Sequence, residues 1–230
     1  MRSGVPEPCF WTPQSNQGWY IGSDFHLGRN TADWSAGVDF VAFEEAWRNI
    51  TPLNVVKLEQ STEEELRPGF ADSDQLVLLD LIGKTPDADS VDVGLDPARA
   101  ADALEAVLHK LHLAPVFLFP IGTWRHVFDA ITFDLVEHEE WQEIESTATI
   151  ELNTHDPLMC GPADLHTVHD VISSVLKSGE SAKQGVTIAA LGKPILIVAE
   201  PPGQLRIEIM GQPLATEVSE LLLPFANKGE

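Results

Sequence analysis

The side chains best suited to chemistry crowd into one stretch: His155-Asp156, Cys160, His166, His169 and Asp170 place imidazole, thiol and carboxylate groups within sixteen consecutive positions. Those are the donors that bind zinc and related metals. His166 and His169 stand at i, i+3 on a helix expected over about Ala163 to Ser178, with Leu165, Val168, Val171, Ile172, Val175 and Leu176 as its apolar stripe and Gly179 as its stop. At about 100° per residue, His169 flanks that stripe, while His166 and Asp170 point about 140° and 180° away from it. An ion shared by the two imidazoles would therefore be exposed. The competing expectation is a solvated histidine face in which Asp170 answers His166 at i+4.

A second constellation lies near the start. Ser23-Asp24-Phe25-His26-Leu27-Gly28 follows a strand expected at Trp19 to Ser23 and resembles the first motif of calcineurin-like metallophosphoesterases. The resemblance implies that Asp24 and His26 bind one ion of a two-metal site. It covers six residues, and the chain holds no Gly-Asp pair, no Gly-Asn-His and no His-x-His to continue it. His138-Glu139-Glu140-Trp141-Gln142 begins like the zincin helix motif, but Gln142 stands where the second histidine is required. Gly83-Lys84-Thr85 resembles the end of a phosphate-binding loop. There, Leu78 occupies the position of the first glycine and Pro86-Asp87 stand where a helix would begin, so an anion cradle is not expected. Cys9 and Cys160 form no CxxC pair, which excludes a disulfide framework and a zinc knuckle.

Charge argues in another direction. The chain carries 14 Lys and Arg against 36 Asp and Glu, a net charge of −22 over 230 residues. Between Lys110 and Lys177 the single cation is Arg125, set against eleven carboxylates. A field of that sign repels nucleic acid and anionic membrane, both of which are bound through Lys and Arg. Trp124, Arg125 and His126 are expected in a loop between two strands, beside an acidic run that holds Glu137, Glu139, Glu140, Trp141, Glu143 and Glu145. Exposed Trp and Arg are favoured interface anchors, and the carboxylates suit a basic partner.

The elements that must position these residues can be read from periodicity. Residues 1–17 are expected to form an irregular arm, residues 18–225 a single α+β domain, and residues 226–230 a disordered tail. A helix is expected from about Phe40 to Ile50, capped by Asp39, with Phe40, Phe43, Trp47 and Ile50 inward. A second runs from Asp96 at the cap and Pro97 to about His112, with Ala101, Leu104, Leu108 and Leu111 on one face. A last short helix is expected at Leu214 to Leu223. Strands are expected at Leu53 to Leu58, Leu76 to Ile82, Val116 to Phe119, Phe128 to Val136, Ala148 to Leu152, Val186 to Ala190, Ile195 to Val198 and Leu205 to Ile209. Ser61 to Asp74 reads as a polar connection and Glu137 to Glu145 as an acidic turn or short helix.

The fold class is thus α+β, a largely antiparallel sheet with three core helices, open to a repeated strand-helix-strand-strand unit at 18–85, 86–145 and 146–212. Such an order resembles the architecture of acidic sliding clamps, although 14 cations would make a thin inner face for DNA. No apolar run reaches the roughly 18 residues of a membrane span, and the first residues lack the apolar core of a secretory signal. The expectation is a cytoplasmic, non-enzymatic interaction protein that takes no cofactor and binds a basic protein surface, as an immunity protein, adaptor or nucleic-acid mimic does. The alternative is a metal-dependent hydrolase built on Asp24 and His26 or on the His155 to Asp170 cluster.

Overall fold

Alternation decides the architecture. Along Val116-Phe117-Leu118-Phe119, successive side chains enter opposite cores, as a strand with both faces covered requires. The computed structural model describes residues 38–59, 66–71, 73–83, 90–135 and 155–227. Ten strands are described: β1 (Asp39–Phe40), β2 (Val55–Glu59), β3 (Leu66–Phe70), β4 (Leu76–Ile82), β5 (Ser90–Asp92), β6 (Val116–Pro120), β7 (Leu158–Cys160), β8 (Val186–Ala190), β9 (Ile195–Glu200) and β10 (Gln204–Met210). Five helices join them: α1 (Phe43–Ile50), α2 (Ala100–Lys110), α3 (Trp124–Leu135), α4 (Leu165–Ser178) and α5 (Gln212–Leu222).

Eight strands form one sheet in the order β1-β7-β6-β8-β9-β10-β4-β5, and β2 pairs with β3 as a separate hairpin. Every pairing is antiparallel except β4 with β5. The fold is α+β. One face of the sheet is buried under α2, α3, α4 and α5, where Leu104, Leu108, Ile131, Val168, Ile172 and Val218 meet Leu79, Leu118, Ile188, Ile197 and Ile207. The other face carries α1 and the β2–β3 hairpin over Phe117, Phe119, Ala189 and Leu196.

The second helix starts as its sequence demands: the Asp96 carboxylate accepts from the Ala98 N–H at 3.0 Å, Pro97 follows, and one turn of 3-10 helix leads into α2. Gly179 does end α4, but in extended backbone. A Cβ there would lie 2.3 Å from Pro201 Cγ, so close approach of chains, not a left-handed turn, requires the glycine.

Four local expectations are corrected. Trp124 to His126 and Phe128 to Leu135 are neither loop nor strand but helix α3. Trp124, Val127, Phe128 and Ile131 stand at i, i+3, i+4 and i+7 and are all buried, so the helical period outweighs their β-prone composition. Asp39 does not cap the first helix, because it and Phe40 pair with Met159 and Leu158 in the sheet. That pairing sends Phe40 to the helix-covered core, edge-on to Trp124 at 5.8 Å, while Phe43 and Trp47 stack at 5.7 Å on the other side. Pro68-Gly69 lies in β3 rather than in a connection, which a two-stranded hairpin tolerates because each strand is an edge. Finally, the segment expected to repeat strand-helix-strand-strand from residue 86 reads β5, α2, β6, α3.

At the other end, Leu95 bridges Ala226 and the Asn227 N–H donates to the Gly94 carbonyl at 3.0 Å. The Arg99 guanidinium lies 5.1 Å from the centre of the Phe225 ring. The expected strands at Trp19 to Ser23 and Ala148 to Leu152 fall outside the described residues.

Candidate functional site

Three polar constellations emerge from the fold. The first is on the hairpin side of the sheet. Leu205, Ile207 and Ile209 face the helices, so Arg206 and Glu208 must face the other way. Arg206 Nε donates to Asp80 Oδ1 at 2.6 Å, and the Ser90 hydroxyl donates to the second oxygen of Asp80. One carboxylate on β4 thus ties together the strands on both its sides. One step further along β10, Arg67 from β3 donates to Glu208 Oε1 at 3.1 Å, with the two side chains 15% and 6% exposed. Asp80 and Glu208 are the only charged residues buried among the described ones, and each meets an arginine. An unpaired charge there would be untenable.

The second constellation centres on Asp156. Its carboxylate accepts the Phe43 N–H at 2.7 Å, capping α1 from 113 positions away, and its backbone carbonyl accepts the Trp124 indole N–H at 2.8 Å. Trp124 is fully buried. The exposed loop tryptophan expected at an interface is therefore a core residue, held by its nitrogen as a buried indole must be. Arg125, its neighbour, is exposed, and His126 turns back so that Nδ1 accepts the Thr123 N–H at 3.2 Å at the start of α3.

The third lies between α2 and α4. His169 Nδ1 is 3.1 Å from Asp170 Oδ1, and His169 Nε2 is 3.1 Å from Asp102 Oδ1 on the neighbouring helix. Partial burial pulls the His169 pKa down, but the hydrogen bonds to Asp170 and Asp102 and the charges of Asp170 and Glu105 outweigh it. The net pKa is raised above 6.5. Asp170 thus meets its own neighbour on α4.

The remaining predicted ligands do not converge. His155 sits before β7 with its Nδ1 buried and without a hydrogen-bond partner among the described residues. His166 is exposed on α4. Cys160 is buried in β7, and burial foremost, with Asp164 adding to it, pushes its thiol to about 12. A thiol that stays protonated is neither a ready ligand nor a nucleophile. Among the described residues, no group of three or more His, Cys, Asp and Glu could hold a metal ion. Asp24 and His26 lie outside the described residues, as do Glu137, Glu139, Glu140, Trp141 and Glu143.

The carboxylates that the sequence reading missed had a signal. Asp80 interrupts the run Leu76-Val77-Leu78-Leu79-Asp80-Leu81-Ile82, and Arg206 and Glu208 occupy alternate positions of an otherwise apolar strand. Charges set at a period of two inside such strands point to partners on the covered face. Asp102 and Glu105 had none, since only the packing of α2 on α4 brings them to His169.

Among the described residues, no helix is long and apolar enough to cross a membrane. Comparison with known protein families, with characterised proteins and with solved structures finds no match to this chain.

Proposed function

We propose that the protein is a non-enzymatic interaction protein that binds a basic protein partner through its acidic exterior. The observation that carries the reading is the neutrality of the described interior. Asp80 and Glu208 are each matched by an arginine, and setting those two pairs aside leaves 12 of the 14 cations against 34 of the 36 carboxylates. Among the described residues the buried charges thus leave no excess inside, and in this reading the chain's negative excess steers oppositely charged partners and repels nucleic acid and anionic lipid.

Arg125 and the acidic run Glu137, Glu139, Glu140 and Glu143, with Trp141 among them, are the contact surface in this reading, and Trp124, being buried, drops out of it. No cofactor enters it. The location that goes with it is the cytoplasm, since two cysteines without a CxxC pair call for no oxidising compartment.

Salt tests it. Capture of basic proteins by the immobilised full chain should fall roughly tenfold or more as salt rises and the Debye length shrinks from about 10 to 3 Å. The triple variant Glu137→Lys, Glu139→Lys, Glu140→Lys should lose capture at low salt while melting as the parent does. Capture that survives high salt would refute the electrostatic interface.

A further inference from the structure

An imidazole placed between two carboxylates has a choice of proton states that geometry resolves. Both ring nitrogens of His169 stand 3.1 Å from a carboxylate oxygen, Nδ1 from Asp170 and Nε2 from Asp102. A neutral ring carries one N–H and one lone pair, so one of these contacts would set a lone pair against an anion. Only the imidazolium, with two N–H groups, satisfies both. The two contacts also differ in what they join. Asp170 is the next residue on the same helix, with its side chain 24% exposed, whereas Asp102 belongs to α2 and is 59% exposed. Water solvates Asp102 more easily once the bond is lost, so the Nε2 proton is the one that leaves.

We propose that His169 is a proton-dependent clasp between α2 and α4, closed while both ring nitrogens carry hydrogen and opened on the Asp102 side when Nε2 gives up its proton. The neutral ring then keeps its Nδ1–H on Asp170 within α4, and α2 loses its polar tie to the neighbouring helix. The groups around the ring act in the same sense. From α2, Glu105 adds negative charge, and His109 is 3.6 Å from Glu105 rather than at the ring. From α4, Asp170 contributes and His166 lies one turn away on the exposed side. From α3, which also packs on α4, the charged and titratable groups with described side chains are Arg125, His126 and Asp129. Acidification closes the clasp and alkalinity opens it. The buried stripe of α4 is untouched in either state, so the change is confined to the outer seam of the helix layer.

The test is a titration of the full chain with 15N-labelled histidine, reading both imidazole nitrogens from about pH 5 to 9, with His169 assigned through His169→Gln. Three results are expected. The His169 midpoint lies above the ordinary 6.5. Above that midpoint the ring is the Nδ1–H form, the reverse of the Nε2–H form that free imidazole side chains favour in water. In Asp102→Asn, an exposed substitution that leaves the fold intact, the midpoint falls by about half a unit or more. A midpoint at or below 6.5, or one that Asp102→Asn leaves in place, overturns the clasp. A neutral ring in the Nε2–H form overturns the opening toward α2.

Discussion

On the helix side of the sheet, Leu79, Leu118, Ile188, Ile197 and Ile207 meet four helices, and the ionisable groups Asp102, Glu105 and His169 lie on the outer seam between α2 and α4. On the hairpin side, Phe117, Phe119 and Leu196 share the surface with Asp80, Arg206, Glu208 and Arg67. The first face is stabilised by apolar burial and tolerates loss of its polar contacts. The second depends on matched charges, which fix how β3, β4 and β10 lie against one another but add little net stability over an apolar filling.

If that contrast is right, the largest single loss should come from the helix side. Trp124→Ala removes a fully buried ring and the hydrogen bond to Asp156, and should cost about 3–5 kcal/mol by chemical denaturation. Trp47→Ala, on the hairpin side, removes a half-buried ring stacked on Phe43 and should cost only ~1–2 kcal/mol. Equal losses would erase the distinction.

Next in size is the charge pair. Glu208→Leu alone strands the Arg67 guanidinium and should cost about 3 kcal/mol, yet adding Arg67→Met should recover stability to within about 1 kcal/mol of the parent. A double variant as unstable as the single one would show that the pair is worth more than its apolar replacement. Gly179→Ala forces a methyl group against Pro201 and should cost ~1–3 kcal/mol, read as a lowered melting temperature.

The smallest effect is the clasp. Because the His169 pKa is raised on folding, its contribution is complete below about 6.5, the unfolded value, and is lost as pH rises through the folded value above it. His169→Gln should therefore cost less than about 1 kcal/mol at pH 6 and less still at pH 9, where the proton-linked part is gone, when compared with the parent across that range. A cost that grows with pH would reverse the sign and the assignment.

Much of this was legible before any coordinates. The Asp96-Pro97 start of α2, the stripe of α4 and the apolar runs of β4, β8 and β9 all follow from local physics that tertiary contacts do not overrule. Where reading failed, a distant residue had decided the matter. Asp39 lost its capping role because β7 was available to pair with it, and Asp156 capped α1 in its place. The segment from Trp124 misled because aromatic and β-branched residues favour strands in isolation, although their spacing was helical. Of the proposed contact surface, the Trp124 placement was wrong and Arg125 is exposed. His169 fell at the flank of its stripe, as the 100° rule places it, but its carboxylate partner on α2 could not be found from one helix alone.

The distance between Asp156 and the helix it caps bears on the order in which the chain acquires structure during synthesis. Helix α1 is eight residues long and its N-cap, Ala42, makes no side-chain hydrogen bond, so its first turn has no local cap. Its donor at Phe43 waits for an acceptor 113 residues downstream. Strand β1 waits likewise for Met159, and β4 for its partners on β10 from Leu205 onward. A ribosome delivering this chain vectorially can pair β2 with β3 and β4 with β5 soon after they emerge, whereas β1 and the Phe43 donor wait for the stretch from Asp156 to Met159. Helix α1, although made early, is therefore among the later pieces to be locked.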